Sequence, residues 1–388
     1  MTVGITEQPD RDIRTMTASL TIAEQRLHQI DRARRAVMQG DGGSGDASAA
    51  PWFDHGWIER SWRRCLANGQ RPEQRLAFDV VPAQAGRRVE EANHRLLAAA
   101  RPVLAKLGRA LANSHYFAIL TDAHGIVIDV DGPVASADRR AKLLTRIGVD
   151  LSEQAIGTTA IGAALAELQP VWLHRGEHFF DDTAVFSCAG APLFGPDGRC
   201  AGMLDLTGIN APERPELKHL VAQWARSIEN ALALAQPHAL MLRLNWPGCV
   251  LAGDGDGLLG LDAHGTVASV NTAGRQMLAQ LKPGHLDIHA SELFAMPWEL
   301  LYDAARRDQA IEVPLWSGLV LQVLAQAPGA QPAAATIAVP RLPLRDVEAA
   351  LIRRAVGDSH GNIQEAARIL GISRATVYRK LGRKLRGE

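Results

Sequence analysis

The residues with the clearest chemical meaning lie in the last helical stretch of the chain. Between Ile372 and Glu388 there are six basic residues and one acidic residue, a net charge of +5. On a helix that turns about 100° per residue, Val377, Leu381 and Leu385 form one apolar stripe, and most of the arginines fall on the opposite side. Guanidinium forks on one helix face suit guanine edges and phosphates, so the pattern predicts a helix that contacts DNA.

Ten residues of this segment are the predicted DNA-binding set. We expect Thr376 and Arg379 to contact bases, and Lys380 with the basic residues after it to contact mostly phosphates. The ten residues are Ser373, Arg374, Ala375, Thr376, Tyr378, Arg379, Lys380, Arg383, Lys384 and Arg386. A solvated basic helix on a small bundle is the alternative, and the residues that precede the helix argue against it.

Those preceding residues have the pattern of a helix-turn-helix. Asn362–Leu370 has helical spacing, and the small pair Ala366-Ala367 allows a second helix to approach closely. Gly371 suits a turn position with positive φ, and Ser373 is a good N-cap for the basic helix. The pattern predicts an all-α module at this end of the sequence.

The charge of the whole chain hides this segment, because its 388 residues carry 42 Lys and Arg against 42 Asp and Glu. Residues 1–371 therefore sum to −5. Apolar residues make up 47% and charged residues 22%, which is typical of globular proteins and excludes wholesale disorder. No apolar run approaches the ~18 residues of a membrane helix, and the N-terminus lacks the apolar core of a signal peptide. We expect a cytoplasmic protein with no membrane partner.

A second group of residues predicts a small-molecule pocket in the middle of the chain. Trp172, His178, Phe179, Phe186 and Cys188 lie between a predicted helix and a predicted hairpin. Pockets are commonly lined by such apolar and aromatic side chains with a few polar groups, but ordinary core packing explains each residue equally well. None of them identifies a ligand, and no cofactor is predicted.

Other residues with catalytic or metal-binding potential form weaker patterns. The string from His174 to His178 matches H-x-x-E-H, but its glycine interrupts the helix that zinc ligation requires, so we predict no metal site. The four cysteines lie far apart without a CxxC pair, which favours reduced thiols. Cys188 or Cys200 leaves a thiol redox enzyme open as an alternative, although such cysteines are more often core residues. We predict no enzymatic activity.

The elements that must position these residues give an α+β, multi-domain chain. Turn residues at Asp122–His124 and at Gly195–Gly198 separate apolar runs and predict two β-hairpins, with a helical stretch over 151–168 between them. Asp262 begins a repeat of the first turn, so residues 254–327 are expected to open with a similar hairpin. The predicted organisation is an N-terminal helix and flexible linker over 1–50, a sensor domain over 55–235, a second α+β module over 254–327, an Ala/Pro-rich linker over 328–343 and a helix-turn-helix domain over 344–388.

The C-terminal module resembles the Fis-type helix-turn-helix that closes nitrogen-type enhancer-binding activators. The blocks that carry the resemblance are Gly361-Asn362, Ala366-Ala367, Leu370-Gly371-Ile372-Ser373-Arg374 and Thr376-Val377-Tyr378-Arg379-Lys380-Leu381. The resemblance implies that this unit dimerises and that its last helix reads DNA.

The region over roughly 55–235 resembles the N-terminal half of acetoin-catabolism-type activators. The blocks that keep the family's order are Ser61-Trp62-Arg63-Arg64-Cys65, Gly148-Val149-Asp150-Leu151-Ser152-Glu153, Gly157-Thr158-Thr159-Ala160-Ile161-Gly162, Glu177-His178-Phe179, Ser187-Cys188-Ala189 and Gly202-Met203-Leu204-Asp205-Leu206-Thr207. The resemblance implies a GAF-like sensor, which is an antiparallel sheet with helices and a ligand pocket, and residues 254–327 are similar to a PAS domain. Such activators usually carry an ATPase with a GxxxxGK[ST] phosphate loop, and these 388 residues contain no such string.

Together these features predict a sequence-specific DNA-binding transcriptional regulator that responds to a small-molecule effector and has no ATPase of its own. The expected partners are double-stranded DNA, a second copy of the chain, an effector, and RNA polymerase or an ATPase-bearing activator. Two alternatives stay open, namely a GAF-type thiol redox sensor enzyme and a co-regulator that binds DNA without an effector.

Overall fold

The chain forms two compact units, Met1–Pro328 and Gly329–Glu388, and its secondary structure is mixed α+β. The first unit contains two five-stranded antiparallel sheets with helices, and the second contains a helix pair. The α+β class predicted from the sequence is confirmed. The computed structural model describes residues 22–38, 56–76, 81–134, 139–307, 309–328, 352, 356, 359 and 362–381.

Within the part of the chain that the structure describes, four helices precede the first sheet. Their bounds are α1 (Ile22–Met38), α2 (Gly56–Ala67), α3 (Ala83–Ala92) and α4 (His94–Leu111). Of the segment expected to hold an N-terminal helix and linker, α1 is the part that lies within the described residues. No helix in the described ranges combines the length and the apolar character needed to cross a bilayer.

The first sheet has the strand order β2-β1-β5-β4-β3, and every pairing in it is antiparallel. Both predicted hairpins are present, as β1–β2 and β4–β5. The strands are β1 (Tyr116–Asp122), β2 (Val127–Asp131), β3 (Val171–His174), β4 (Phe186–Phe194) and β5 (Cys200–Ile209). Between β2 and β3 lie α5 (Arg139–Leu144), α6 (Glu153–Ile156) and α7 (Ala160–Glu167).

Helices cover both faces of this sheet, and side-chain alternation along β5 assigns each residue to one face. Leu204 and Leu206 belong to the apolar cluster formed with α4 and with α8 (Leu217–Leu234). Met203 belongs to the other cluster, which contains residues of α1, α2, α6 and α7. β5 is therefore buried on both faces.

The helical stretch expected over 151–168 is divided into two short helices. Gly157 ends α6 with a φ of +66°, and a Cβ at this position would lie 2.9 Å from the ring of Phe180. Only glycine meets both conditions without strain. Thr159 then caps α7, because its Oγ1 accepts a hydrogen bond from Gly162 N at 3.3 Å.

The second sheet has the order β8-β7-β6-β10-β9. Its strands are β6 (Leu240–Asn245), β7 (Gly257–Leu261), β8 (Val267–Val270), β9 (Ile311–Pro314) and β10 (Val320–Gln326), and its helices are α9 (Thr272–Met277), α10 (Ala290–Leu293) and α11 (Glu299–Arg307). The sheet begins at β6, ahead of the residues 254–327 that the sequence marks out. Because β6 lies between β7 and β10, the order differs from that of the first sheet, where β1 pairs directly with β5.

The sequence repeat forms the same turn in both sheets. Asp122 Oδ1 accepts hydrogen bonds from His124 N at 2.8 Å and from Ile126 N at 3.0 Å. Asp262 Oδ1 accepts from His264 N at 2.8 Å and from Thr266 N at 2.9 Å. The predicted second hairpin is therefore confirmed as β7–β8, with a carboxylate holding each turn.

A buried polar joint connects α8 to the second sheet. The amide nitrogen of Asn271 donates to Asn230 Oδ1 at 2.7 Å and to the carbonyl of Asp256 at 2.8 Å. Its Oδ1 accepts from Leu258 N and Gly274 N, each at 2.8 Å. Asn271 is 3% exposed, so these four bonds are made away from solvent.

Asn271→Ala should lower the free energy of unfolding of the first unit by about 2–4 kcal/mol, because it leaves buried donors and acceptors unpaired. Urea denaturation followed by tryptophan fluorescence measures this change. Asn113→Ala, the same substitution at an exposed position after α4, is the matched control and should change stability by less than about 0.5 kcal/mol. Equal unfolding midpoints for the two variants would contradict this role for Asn271.

Candidate functional site

A cavity lies between the first sheet and helices α5–α7. Its volume is about 20 Å³, taken as the space open to the centre of a water-sized sphere. All the lining side chains are buried, and most are apolar. The cavity is lined by Ile119, Leu144, Leu151, Ile156, Thr159, Ala160, Ile161, His178, Thr183, Phe186, Cys188, Asp205 and Thr207.

The structure brings three of the five predicted pocket residues together in this cavity. His178, Phe186 and Cys188 line it. Trp172 lies on the opposite face of the sheet, in the cluster with α4 and α8, because side chains alternate along β3. Phe179 is fully buried and packs edge-on against Phe180, with ring centroids 5.0 Å apart, and does not line the cavity.

His178, a residue of the cavity wall, carries a buried hydrogen-bond acceptor. Its Nδ1 lies 2.9 Å from the carbonyl oxygen of Arg175, which can only accept, so Nδ1 carries the proton. Nε2 is buried and has no hydrogen-bond partner among the described residues. Burial lowers the pKa of His178 to about 4, which keeps the ring uncharged at neutral pH. Nε2 therefore offers a lone pair.

Asp205, which the sequence analysis did not single out as a site residue, presents a second acceptor. Its Oδ2 accepts a hydrogen bond from Thr207 Oγ1, and Cys188 Sγ lies 3.4 Å from the same hydroxyl. Oδ1 is buried and has no partner among the described residues. Burial raises the pKa of Asp205 to about 7. A carboxylate between two leucines of an apolar strand was the signal in the sequence that could have identified it.

The cysteines of this hairpin are poorly placed for redox chemistry. Burial raises the pKa of Cys188 well above its usual range, and burial also raises that of Cys200. Both thiols therefore stay protonated and weakly nucleophilic at neutral pH. Cys188 pairs with Thr207 and Cys200 with Phe194 in the β4–β5 register, so the two cysteines are on the order of 20 Å apart along the hairpin.

The segment that carries His178 is held by α1. Arg34 Nη1 donates to the carbonyl of His178, and Nη2 donates to the carbonyl of Phe179 at 2.6 Å. Arg26 Nη2 forms an ion pair with the buried Glu177 at 2.8 Å. Burial raises the pKa of Glu177, although the Arg26 guanidinium opposes this shift. α1 is thus joined to the wall of the cavity by two arginines.

The blocks from Ser61 and from Gly157, far apart in the sequence, meet in the structure. Ser61 Oγ lies 2.7 Å from Thr158 Oγ1, and Arg64 Nε donates to Glu153 Oε1 at 2.6 Å. Trp62 Nε1 donates to the carbonyl of Glu177 at 2.9 Å. These bonds fix α2 against the α6–α7 turn and the segment that carries His178.

The H-x-x-E-H string does not place its side chains around one point. His174 Nδ1 lies 2.7 Å from Ser187 Oγ, and the backbone N–H of His174 donates to Glu177 Oε2 at 2.6 Å. Within the described part of the chain, no group of three or more His, Cys, Asp or Glu side chains is arranged to hold a metal ion.

In the second unit, α12 (Ile363–Ile369) and α13 (Arg374–Leu381) form the predicted helix-turn-helix. Asn362 caps α12, with Oδ1 accepting from Gln364 N at 3.1 Å and from Glu365 N at 3.2 Å. Gly371 adopts a φ of +65° in the turn, and Ser373 Oγ accepts from Thr376 N at 3.2 Å. Val377 is fully buried against Ile352 and Ala367, as the apolar stripe requires.

The start of α13 presents part of the predicted DNA-binding set to solvent. Ser373, Arg374 and Ala375 are exposed, Thr376 is half-buried, and Tyr378 is 63% exposed. Arg379 and Lys380 lie on α13, but their side chains are not among those described. Three further predicted residues, Arg383, Lys384 and Arg386, lie outside the described residues.

Two family models match this chain. Residues 343–383 match the model described as bacterial regulatory protein, Fis family, which covers α12 and α13. Residues 60–230 match the MimR N-terminal domain, which covers the first sheet and its cavity. The Fis-type helix-turn-helix predicted from the sequence is therefore confirmed.

Curated relatives confirm the resemblance to acetoin-catabolism-type activators. The acetoin catabolism regulatory protein of Cupriavidus necator is 30% identical over 65% of this chain and 38% of its own length. The propane 2-monooxygenase operon transcriptional activator MimR of Mycolicibacterium goodii is 30% identical over 42% of this chain and 30% of its own length. The chain thus spans less than two-fifths of the length of these relatives. The E. coli DhaR(N)–DhaL complex aligns with a TM-score of 0.43 and 16% identity, over 70% of this chain and 99% of that one.

The raised pKa of Asp205 should make stability depend on pH in one direction. The pKa of the Asp205 carboxyl is about 7 in the folded protein and near 4 in the unfolded chain. Its contribution to the free energy of unfolding is therefore greatest in acid and is lost as the pH rises from about 4 to 8. Relative to Asp205→Asn, the wild type should lose up to about 4 kcal/mol of unfolding free energy over that range. Urea melts at each pH measure the difference. Asp287→Asn, an exposed control, should track the wild type, and parallel curves for the wild type and Asp205→Asn would exclude the shift.

Arg34→Ala should detach α1 from the cavity wall, because it leaves the carbonyls of His178 and Phe179 without their donor. The free energy of unfolding should fall by about 1–3 kcal/mol, and amide hydrogen exchange should be faster in α1 and in residues 175–181. Arg35→Ala is the control, since the side chain of the exposed Arg35 donates, among the described residues, to the carbonyl of Asp31 in its own helix. Unchanged exchange in Arg34→Ala would show that the guanidinium does not hold the two segments together.

Proposed function

We propose that this chain, a relative of acetoin-catabolism and MimR activators with a Fis-type helix-turn-helix, is a sequence-specific DNA-binding transcriptional regulator controlled by a small-molecule effector. The observation that carries the proposal is the Fis-family match over 343–383 together with a buried Val377 and a solvent-facing helix start. We assign base contacts to Thr376 and Arg379, and mostly phosphate contacts to Lys380 and the basic residues after it.

The chemistry of α13 supports this assignment. Its first turn offers the small Ala375 and the hydroxyl of Thr376, which permit close approach to base edges. The +5 charge of residues 372–388 supplies attraction to phosphate that the −5 remainder of the chain lacks. Fis-type units act in pairs, so we propose a homodimer that reads two half-sites.

The cavity beneath the first sheet supports effector control. A position between an antiparallel sheet and helices, mostly apolar walls and two wall residues with an acceptor atom that is unpaired among the described residues are typical of a small-molecule site. On this basis we assign residues 55–235 to the GAF-like class, and we keep the PAS-like interpretation for the second sheet. An effector that prefers one arrangement of the cavity wall would shift the population of DNA-binding states.

The partners beyond DNA follow from the sequence. These 388 residues contain no GxxxxGK[ST] string, so we assign no ATP-driven step to them and propose an ATPase-bearing activator or the polymerase machinery as a partner. We propose a cytoplasmic location, because a bacterial regulator that binds DNA must reach the chromosome.

Of the two alternative functions, a thiol redox enzyme has little support. Burial keeps Cys188 and Cys200 as protonated thiols, and the two residues lie at opposite ends of their hairpin. A co-regulator that binds DNA without an effector differs from the proposal in one measurable respect. The melting temperature of such a co-regulator would not rise when any small metabolite is added. An effector-controlled regulator would be stabilised by its effector, because the effector binds the native state.

Genome-wide DNA footprinting with the purified full chain tests the proposal, and protection of a common sequence at a few sites is the expected result. On that operator, Arg379→Ala should weaken binding by about 1–3 kcal/mol and relax the preference at one base position. Lys380→Ala should weaken binding to all sequences and reduce the salt dependence by about one charge.

The matched control is Arg306→Ala, which removes an exposed arginine of α11 that pairs with Asp303. It should leave operator binding unchanged. Random protection along the genome would refute sequence-specific regulation, and full operator affinity in Arg379→Ala would refute the base contact.

A further inference from the structure

We propose that Thr376 recognises a thymine of the operator through its side-chain methyl group, and that Ser373 is the positioning residue that fixes this side chain. The inference rests on the proposed function, because it names the base that is read by a residue to which we assign a base contact. It is carried by two hydrogen bonds at the start of α13, a helix within the Fis-family match over 343–383.

The hydroxyl group of Thr376 is already bonded within the protein. Ser373 Oγ accepts a hydrogen bond from Thr376 N at 3.2 Å, and Thr376 Oγ1 lies 2.9 Å from the same Oγ. Because the backbone and the side chain of Thr376 both bond to one oxygen, the torsion about its Cα–Cβ bond is fixed. The hydroxyl oxygen is therefore directed back towards the cap.

This contact selects one of the two arrangements that a threonine side chain commonly adopts in a helix. Threonine divides between two rotamers because its hydroxyl can also bond to a backbone carbonyl three or four residues earlier. The bond to Ser373 favours the rotamer that brings Oγ1 close to the cap. The methyl group then occupies one defined position on Cβ, and it has no hydrogen bond to lose when it meets an apolar group.

The methyl group belongs to a part of α13 that can approach base edges closely. On a helix of about 3.6 residues per turn, Ala375 and Thr376 lie roughly 160° and 100° around the axis from the buried Val377. Ala375 is exposed and Thr376 is half-buried, so two short side chains lie next to each other on this side of the helix. Methyl groups of alanine and threonine are typical contacts of the thymine methyl group in the major groove.

The other three bases fit this arrangement less well. Guanine, cytosine and adenine present hydrogen-bonding groups, and no methyl group, on their major-groove edges. The hydroxyl of Thr376 would have to leave Ser373 to reach such a group in the best geometry, whereas the methyl group contacts thymine with that bond intact. The geometry therefore favours thymine.

Binding of the full chain to modified operators tests the base. In the operator that footprinting identifies, each thymine of a half-site is replaced in turn by deoxyuridine, which lacks only the C5 methyl group. One replacement should weaken wild-type binding about fourfold, which corresponds to the burial of one methyl group. Equal affinity for every substituted operator would overturn the proposal.

Two variants of Thr376 test the atom. Thr376→Ser keeps the hydroxyl and lacks the methyl group, so it should bind the thymine and the deoxyuridine operators equally. Thr376→Val keeps a methyl group and lacks the hydroxyl, so it should retain the preference for thymine. Arg306→Ala, the exposed control, should show the wild-type ratio. A preference kept by Thr376→Ser and lost in Thr376→Val would assign the contact to the hydroxyl and overturn the proposal.

Variants of Ser373 test the positioning role. Ser373→Ala should reduce the preference for thymine to about twofold or less, because the hydroxyl of Thr376 can then bond to a backbone carbonyl. Ser373→Thr, which keeps the hydroxyl, should restore it. Asn362→Ala removes the cap of α12, so any loss of helix stability should weaken binding to both operators and leave their ratio unchanged. A fourfold preference intact in Ser373→Ala would overturn this role.

The ratio of the two affinities separates this inference from the proposed function. Specific footprints that are indifferent to every thymine methyl group retain the regulator and refute the thymine contact. Absence of any protected sequence refutes both.

Discussion

Strand β5 imposes the constraint on which the first unit depends, because it lies between β1 and β4 and is covered on both faces. Alternate side chains of β5 lie on opposite buried faces of the sheet. Leu204 and Leu206 pack against α4 and α8, and Asp205 is on the side of the cavity. A shift of one residue would bury the carboxylate in the apolar cluster. The register of the sheet therefore determines whether the cavity wall contains a carboxylate.

The helix behind β5 also connects the two sheets. α8 has 18 residues, a length of roughly 27 Å, and Glu229 on it accepts from Phe194 N at 2.9 Å at the end of β4. The next residue, Asn230, bonds to Asn271 of the second sheet. Buried polar bonds tolerate few alternative geometries, so these two bonds fix α8 against the end of β4 and against the second sheet.

Local patterns in the sequence were enough for the helix-turn-helix, because its cap at Asn362, its turn at Gly371 and its cap at Ser373 act within a few residues. The same holds for the two Asp-Ala-His-Gly turns. The attachment of α1 could not be predicted, since Arg34 contacts carbonyls 144 and 145 residues away. The pocket was predicted in part: aromatic composition does not tell which face of β3 carries Trp172, and Asp205 was hidden in an apolar strand.

The half-satisfied carboxylate has a consequence for laboratory evolution of this protein. Replacing a buried polar group and its partner together by apolar groups of similar shape is often neutral or stabilising. Screens for heat resistance alone should therefore enrich paired apolar substitutions at positions 205 and 207, and the selected proteins would melt later while losing the polar feature of their cavity. Resistance to heat and discrimination among small molecules would compete for the same side chain.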